Sequence, residues 1–282
     1  MRSRSVDVGH QLMLREWGDG DRRILAVHAL GAVSSGALFN CAVGPLVEAG
    51  WQVTAPDLPG FADSPAVAPE EYDITRMAEL MWRVAGDEPL VLLGHSVGGA
   101  IALRMHELRP DAVRALVLLD SGHLDYGALH PELLDKSLDE WLADTPEPLS
   151  VADAGELAEA LGIDVDDSVM DDLLVAVDEV DGRLVSRTGG LASVAARYAL
   201  VVARCSDDWP GLAAAGTPTL LVLATEPPAT RDQNEEWGAR FGAAVPHAEV
   251  RLVEGATHSI ATDLREGLGR DLADWLEPLT RA

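Results

Sequence analysis

One stretch constrains this chain more than any other: Leu90-Val91-Leu92-Leu93-Gly94-His95-Ser96-Val97-Gly98-Gly99-Ala100. A short apolar strand pattern enters a glycine-flanked turn, and an apolar helix pattern, Ala100-Ile101-Ala102-Leu103, leaves it. Inside the turn, Gly94-x-Ser96-x-Gly98 sets a serine where strand gives way to helix. The spacing is steric in origin. A residue pinned there takes a strained backbone conformation, so its neighbours two positions away must lack bulk. The hydroxyl then projects at the carboxyl end of the strand, before a helix amino terminus that favours negative charge.

The rest of the chain reads as a sheet built around that stretch. Gln11 to Trp17 alternates like an edge strand, and Gly18-Asp19-Gly20-Asp21 is a hairpin signal leading to a buried strand at Arg23 to His28. A helix is expected from Leu38 to Ala49, a strand from Trp51 to Ala55, and a turn at Pro56-Asp57-Leu58-Pro59-Gly60. Asp73 caps a helix running to Ala85. Val113 to Leu119 is a strand, apolar but for Arg114, that stops at Asp120. Such alternation of strands and helices predicts right-handed crossovers and a mostly parallel sheet.

The alternation breaks at Ser121 and resumes at Thr217. No strand is evident between them; helical patterns run from Leu133 to Leu142, Val151 to Leu161, Val169 to Val177 and Leu191 to Arg204. This block holds 20 acidic and 5 basic residues, a charge that reads mainly as a solvated outer face. The expected division is therefore an α/β core formed by 1–120 and 217–282, with 121–216 inserted as a helical lid. Thr217 to Ala224 and Ala248 to Val253 are the remaining strands, with helices from Arg231 to Ala244 and Leu264 to Leu276.

A chain of 282 residues, 48% of them apolar, can bury one large α/β domain. Its net charge of −26 argues against nucleic acid and anionic membrane surfaces as partners. No run is long and apolar enough to span a bilayer, and no apolar run follows the basic Met1-Arg2-Ser3-Arg4-Ser5, so neither a membrane span nor a signal peptide is expected. A cytoplasmic protein, monomeric or homodimeric, is the default. Cys41 and Cys205 supply neither a disulfide framework nor metal-ligand spacing, and no metal or cofactor is implied.

A serine is a weak nucleophile without a base in hydrogen-bond reach and a third group to orient that base. Of eight histidines, His258 is the candidate base. Its loop, Glu254-Gly255-Ala256-Thr257-His258-Ser259, follows the last strand and so shares the carboxyl edge of the sheet with Ser96. His10, His106, His130 and His247 read as surface or helix positions. His95 is expected to point to the sheet side of the turn, His28 to brace the loop after its strand, and His123 to line the pocket. Asp57 and Asp63 read as turn formers at the pocket mouth.

Four motifs, in order along nearly the whole chain, resemble those of the α/β-hydrolase fold superfamily: His28-Ala29-Leu30-Gly31, Asp57-Leu58-Pro59-Gly60-Phe61-Ala62-Asp63-Ser64, Gly94-His95-Ser96-Val97-Gly98-Gly99 and Gly255-Ala256-Thr257-His258. The resemblance implies a mostly parallel central sheet flanked by helices, Ser96 as nucleophile, His258 as general base, and an oxyanion hole of the Val97 and Leu30 backbone N–H groups. The family usually carries His-Gly where this chain has His28-Ala29. Its acid usually follows the penultimate strand, where Pro227 stands here, with Glu226 one position away and Asp232 further on. Some members carry the acid one strand earlier, the position of Asp120. Asp120 is preferred, Glu226 is the alternative, and Asp232 comes third.

The function implied is a Ser-His-Asp hydrolase acting on an ester or lactone of a small to medium, mainly apolar substrate. Carbon–carbon bond hydrolysis or acyl transfer by the same triad is the first alternative, and a non-catalytic ligand sensor on the same fold the second. Dehalogenase and epoxide hydrolase chemistry is disfavoured, because those relatives place Asp where Ser96 stands.

Overall fold

The computed structural model describes residues 1–161 and 167–280, so 162–166 of the expected insertion and 281–282 of the expected core lie outside the described residues. The first strands are β1 (Arg2–Asp7), β2 (Gln11–Trp17), β3 (Arg22–Val27), β4 (Trp51–Pro56), β5 (Leu90–His95) and β6 (Val113–Leu119). Between β3 and β6 run the helices α1 (Asn40–Glu48), α2 (Ile74–Ala85) and α3 (Val97–Leu108). After β6 come α4 (Tyr126–Leu129), α5 (Pro131–Leu134), α6 (Leu138–Ala143), β7 (Ser150–Val151), α7 (Ala154–Leu161), α8 (Asp167–Leu174), β8 (Val177–Val180), β9 (Arg183–Ser186), α9 (Gly190–Val202) and α10 (Trp209–Ala215). The chain closes with β10 (Thr219–Ala224), α11 (Pro228–Ala244), β11 (Ala248–Val253), α12 (Ile260–Leu264) and α13 (Glu266–Leu276).

The main sheet has the order β1-β2-β4-β3-β5-β6-β10-β11. From β4 through β11 it is parallel; β1 and β2 pair antiparallel. The central strands are mostly apolar because both faces are covered. In β3, Leu25 and Val27 belong to the apolar cluster shared with α2 and α3, while Ile24 and Ala26 belong to the one shared with α1 and α13. Asp73 caps α2 as expected, its Oδ1 accepting from the N–H groups of Thr75 and Arg76 at 2.9 and 3.0 Å.

The antiparallel end differs from the sequence reading. β2 is not an edge strand: β1 lies outside it, exposed along nearly its whole length and so without an apolar period to betray it. Gly18–Asp21 does not close a hairpin, since β4 sits between β2 and β3. The hairpin joins β1 to β2 through Gly9, at φ +86°. At the other end, α13 is the expected closing helix, begun two residues later, and a short α12 precedes it, set off by Arg265 at φ +49°.

The segment between Asp120 and Thr217 is not wholly helical. It carries a small antiparallel sheet of order β7-β9-β8. The expected helix over Leu133–Leu142 is two helices, because Ser137 starts α6 with a capping box: Ser137 Oγ accepts from the Glu140 N–H at 3.3 Å, and Glu140 Oε2 from the Ser137 N–H at 2.8 Å. The helix read as ending at Val177 stops at Leu174, and Val177 opens β8. Val151, Leu157, Val169, Leu173 and Val177 form a local core that also takes in Val33 and Ala62 of the main body. Polar contacts bind the same two parts. Arg15 on β2 reaches Asp57 at 2.7 Å and Asp63 at 2.5 Å, and Asp63 also pairs with Arg187, which holds Asp178 of β8 at 2.8 Å. Asp57 and Asp63 are thus ion-pair partners, not merely turn formers. Among the described residues no helix is long and apolar enough to cross a membrane.

Candidate active site

Ser96 stands between β5 and α3 with φ +54° and ψ −123°, a conformation that a residue with a side chain adopts only under constraint. The constraint is visible on both sides. A Cβ on Gly94 would overlap the Gly98 carbonyl, and one on Gly98 would overlap the carbonyl of Val27 on β3. The turn is tied to β6 by the Ser96 N–H, which donates to Leu119 O at 3.2 Å, and by Ser121 Oγ, which donates to Ser96 O. Ser96 Oγ makes no hydrogen bond to a described residue. In a ligand-free serine site the nucleophile–base bond is often long and tightens when substrate enters.

His258 follows β11, and its Nδ1–H donates to Asp120 Oδ2 at 2.6 Å. That bond places a proton on Nδ1, so that in the neutral ring the lone pair is on Nε2. Asp120 directly follows β6 at φ +46° and is buried, 8% exposed. Burial alone would raise its pKa. The hydrogen bond and charge of His258 and the N–H of Ala224 outweigh burial and hold the carboxyl below the usual carboxylate value. Its Oδ1 accepts from the Ala224 N–H at 3.1 Å and from Asn234 Nδ2 at 2.7 Å. Asn234 Oδ1 in turn meets His123 Nε2 at 2.9 Å. Of the other acids, Glu226 donates its backbone N–H to Ala256 O at 2.9 Å and has no hydrogen bond to His258, and Asp232 is exposed.

Three histidines differ from or sharpen the sequence reading. His123 does not line the pocket; it is buried behind Asp120. His95 does not turn to the sheet side: it lines the pocket, its Nε2–H donates to His258 O at 2.6 Å, and the two rings lie 5.1 Å apart. Desolvation first, and then the neighbouring His258, push His95 down to about 4, so it is a neutral donor near pH 7. His28 does brace the loop after its strand. Its Nδ1–H donates to Ala29 O at 2.7 Å, and its Nε2 accepts from the Leu58 N–H at 2.9 Å.

A cavity of about 170 Å³ opens beside these groups. Ala29 to Ser34 form one wall, His95, His258 and Ser259 another, and Leu161 of α7 and Leu173 of α8 reach in from the segment between β6 and β10. The Leu30 N–H bonds to no described residue, and the Val97 N–H, first in α3, has no partner within its helix. The site therefore combines a strained serine, a histidine with its lone pair on Nε2, a buried carboxylate behind it, and two unclaimed N–H groups. Asn234 is the member that sequence reading missed. A single polar residue inside a helix carries no motif, and its only signal is the modest helix propensity of asparagine.

A family profile for the alpha/beta hydrolase fold matches residues 22–159, just under half of the chain. Over 174 residues the chain is 35% identical to the lipase LipV of Mycobacterium tuberculosis, covering 61% of this chain and 60% of that one. Over 103 residues it is 36% identical to the pimeloyl-[acyl-carrier protein] methyl ester esterase of Neisseria meningitidis, covering 36% of this chain and 38% of that one. The matched stretch thus spans less than two thirds of either relative. Among solved structures, the thioesterase domain from the curacin biosynthetic pathway superposes with a TM-score of 0.74 at 21% identity, over 97% of this chain and 99% of that one.

Proposed function

We propose that the chain is a serine hydrolase of the α/β-hydrolase fold superfamily, cleaving an ester or lactone of a small to medium, mainly apolar substrate. The observation that carries this reading is the 2.6 Å bond from His258 Nδ1 to the buried Asp120 carboxylate, formed at the edge of the sheet where Ser96 is held in its strained turn. The lipase and the methyl ester esterase similar to this chain are named for ester chemistry, which supports the substrate class.

In this mechanism Ser96 Oγ attacks the substrate carbonyl carbon while its proton passes to His258 Nε2. Asp120 stabilises the imidazolium that forms. The oxyanion lies between the N–H groups of Leu30 and Val97, donors aimed at charge that exists only in the transition state; loss of one such donor costs about 10²–10³ in rate. The tetrahedral intermediate expels the alcohol, which takes its proton from His258. Water, deprotonated by His258, then attacks the acyl-Ser96; the acyl–Oγ bond breaks, Ser96 Oγ takes the proton back from His258, and the acid leaves. Residues 121–216 act as a lid, with Leu161 and Leu173 setting the length and apolar character of the acyl pocket.

Labelling by a fluorophosphonate probe tests the assignment. The wild type should label and hydrolyse nitrophenyl esters of short and medium acids, and Ser96→Ala should do neither. Labelling that persists in Ser96→Ala would remove Ser96 as nucleophile. Turnover of a diketone panel in preference to every ester would move the reaction to carbon–carbon bond cleavage.

A further inference from the structure

We propose that Asn234, held by His123, is a positioning residue that fixes the Asp120 carboxylate from behind and so makes an acid placed after β6 serve His258. The inference rests on the hydrolase reading above and goes beyond it by adding two residues outside the triad.

The amide orientation of Asn234 follows from its neighbours. Its nitrogen faces two acceptors, Asp120 Oδ1 at 2.7 Å and Ala224 O at 3.0 Å, and only an NH2 group satisfies both. Its oxygen therefore faces His123 Nε2 at 2.9 Å, and this nitrogen carries the proton. His123 and Asn234 are 1% and 2% exposed, so water cannot replace either bond. Burial lowers the pKa of His123, which keeps it a neutral, single-tautomer donor.

The result is a closed set of bonds around Ala224, the last residue of β10. Its N–H donates to Asp120 Oδ1 and its carbonyl accepts from Asn234. Oδ1 is thus occupied twice, and Oδ2 is the oxygen left for His258 at 2.6 Å. A carboxylate held in this way can neither rotate away from His258 nor readily take up a proton, because both donors on Oδ1 favour the ionised form. Asn234 lies on α11, which packs on β10 and β11, so it links the acid on β6 to the neighbouring strand.

The test uses the full-length protein and two substitutions. N234L keeps similar bulk and removes the donor. N234D restores a donor only while its carboxyl is protonated, and burial beside Asp120 raises the pH at which it ionises. N234L should lower kcat/KM about tenfold or more, through kcat more than KM, and shift the downfield NMR signal of the His258 Nδ1 proton. N234D should keep more activity than N234L on the acid side and lose it towards alkaline pH, moving the optimum down. Wild-type kcat/KM within about twofold, with an unchanged pH profile and an unshifted proton signal in N234L, would overturn the proposal. Should N234L fail to fold, His123→Phe carries the same comparison against His123→Gln, which retains a donor to Asn234 and should rescue activity; equal activity in the two would be overturning. The NMR signal needs no turnover. A wild type that neither labels nor hydrolyses esters therefore refutes the hydrolase reading, while the signal still decides the role of Asn234.

Discussion

A single hydrogen bond separates Asp120 from Glu226 as the acid proposed to orient His258. Asp120 holds His258 Nδ1 from a buried site supplied with other donors, whereas the backbone of Glu226 is spent on Ala256 and its side chain has no bond to His258. We therefore expect Asp120→Asn to reduce kcat by about 10³–10⁴, since an amide there favours the wrong imidazole tautomer. Glu226→Gln should remain within about threefold of wild type, within the range of a substitution that touches no reacting group. Steady-state kinetics of the two variants on one nitrophenyl ester decide it, and a larger loss in Glu226→Gln would transfer the role. Much of this site was legible in the sequence. The glycines around Ser96 announce a close backbone approach, and the position of His258 after a strand puts it at the right edge. Asp120 was legible only through family resemblance, because an aspartate after a strand is equally a turn residue. The contacts of His95 and Asn234 were not legible, since each depends on a side chain meeting a group more than a hundred residues away.

At the level of elements, hydrophobic period separated what the sequence reveals from what it hides. β3, β5 and β6 announce themselves as largely apolar runs because both their faces are covered. β7, β8 and β9 are two to four residues long and largely exposed, too short and too polar to show any period. What holds this small sheet to the main body is partly the shared apolar cluster and partly the chain of charges from Arg15 through Asp63 to Arg187 and Asp178. Arg187→Ala breaks the outer half of that chain and leaves Asp63 with Arg15. We expect a local cost of about 1 kcal/mol, the scale of a partly exposed ionic network. Hydrogen exchange should accelerate in Val177–Ser186 and not in β5 or β6, and KM should rise as the wall carrying Leu173 loosens. Unchanged exchange over Val177–Ser186 would show that the apolar cluster alone fastens the segment.

Across the whole molecule, net charge is a poor guide to how stability follows pH, because buried groups of opposite response oppose one another. Asp172, 6% exposed, is pushed up to about 6 first by burial, against the hydrogen bond from Asn40 and with the help of Asp171. Asp208 is pushed up to about 6 by burial despite Arg104. For each, the folded state binds its proton more tightly than the unfolded chain, whose carboxyl titrates near 3.8, so the fold is penalised above pH 6 and relieved as pH falls towards 4. His106, 1% exposed, runs the other way. Burial lowers it from 6.5 to about 4, so its contribution is complete above pH 6.5 and is lost as pH falls through that window. His28 and His123, also lowered by burial, add to the loss. Relief and loss overlap between pH 4 and 6, and the wild-type profile is their difference. Removing one relieving group makes its share visible. Asp172→Asn should be more stable than wild type at pH 7, by at most about 3 kcal/mol for a shift of some two units. Urea denaturation at intervals from pH 7 to pH 4 should show that advantage shrinking to nothing, so that the variant loses stability on acidification more steeply than its parent. An advantage independent of pH would mean that the substitution acts through packing, and that Asp172 ionises in the fold as it does in the unfolded chain.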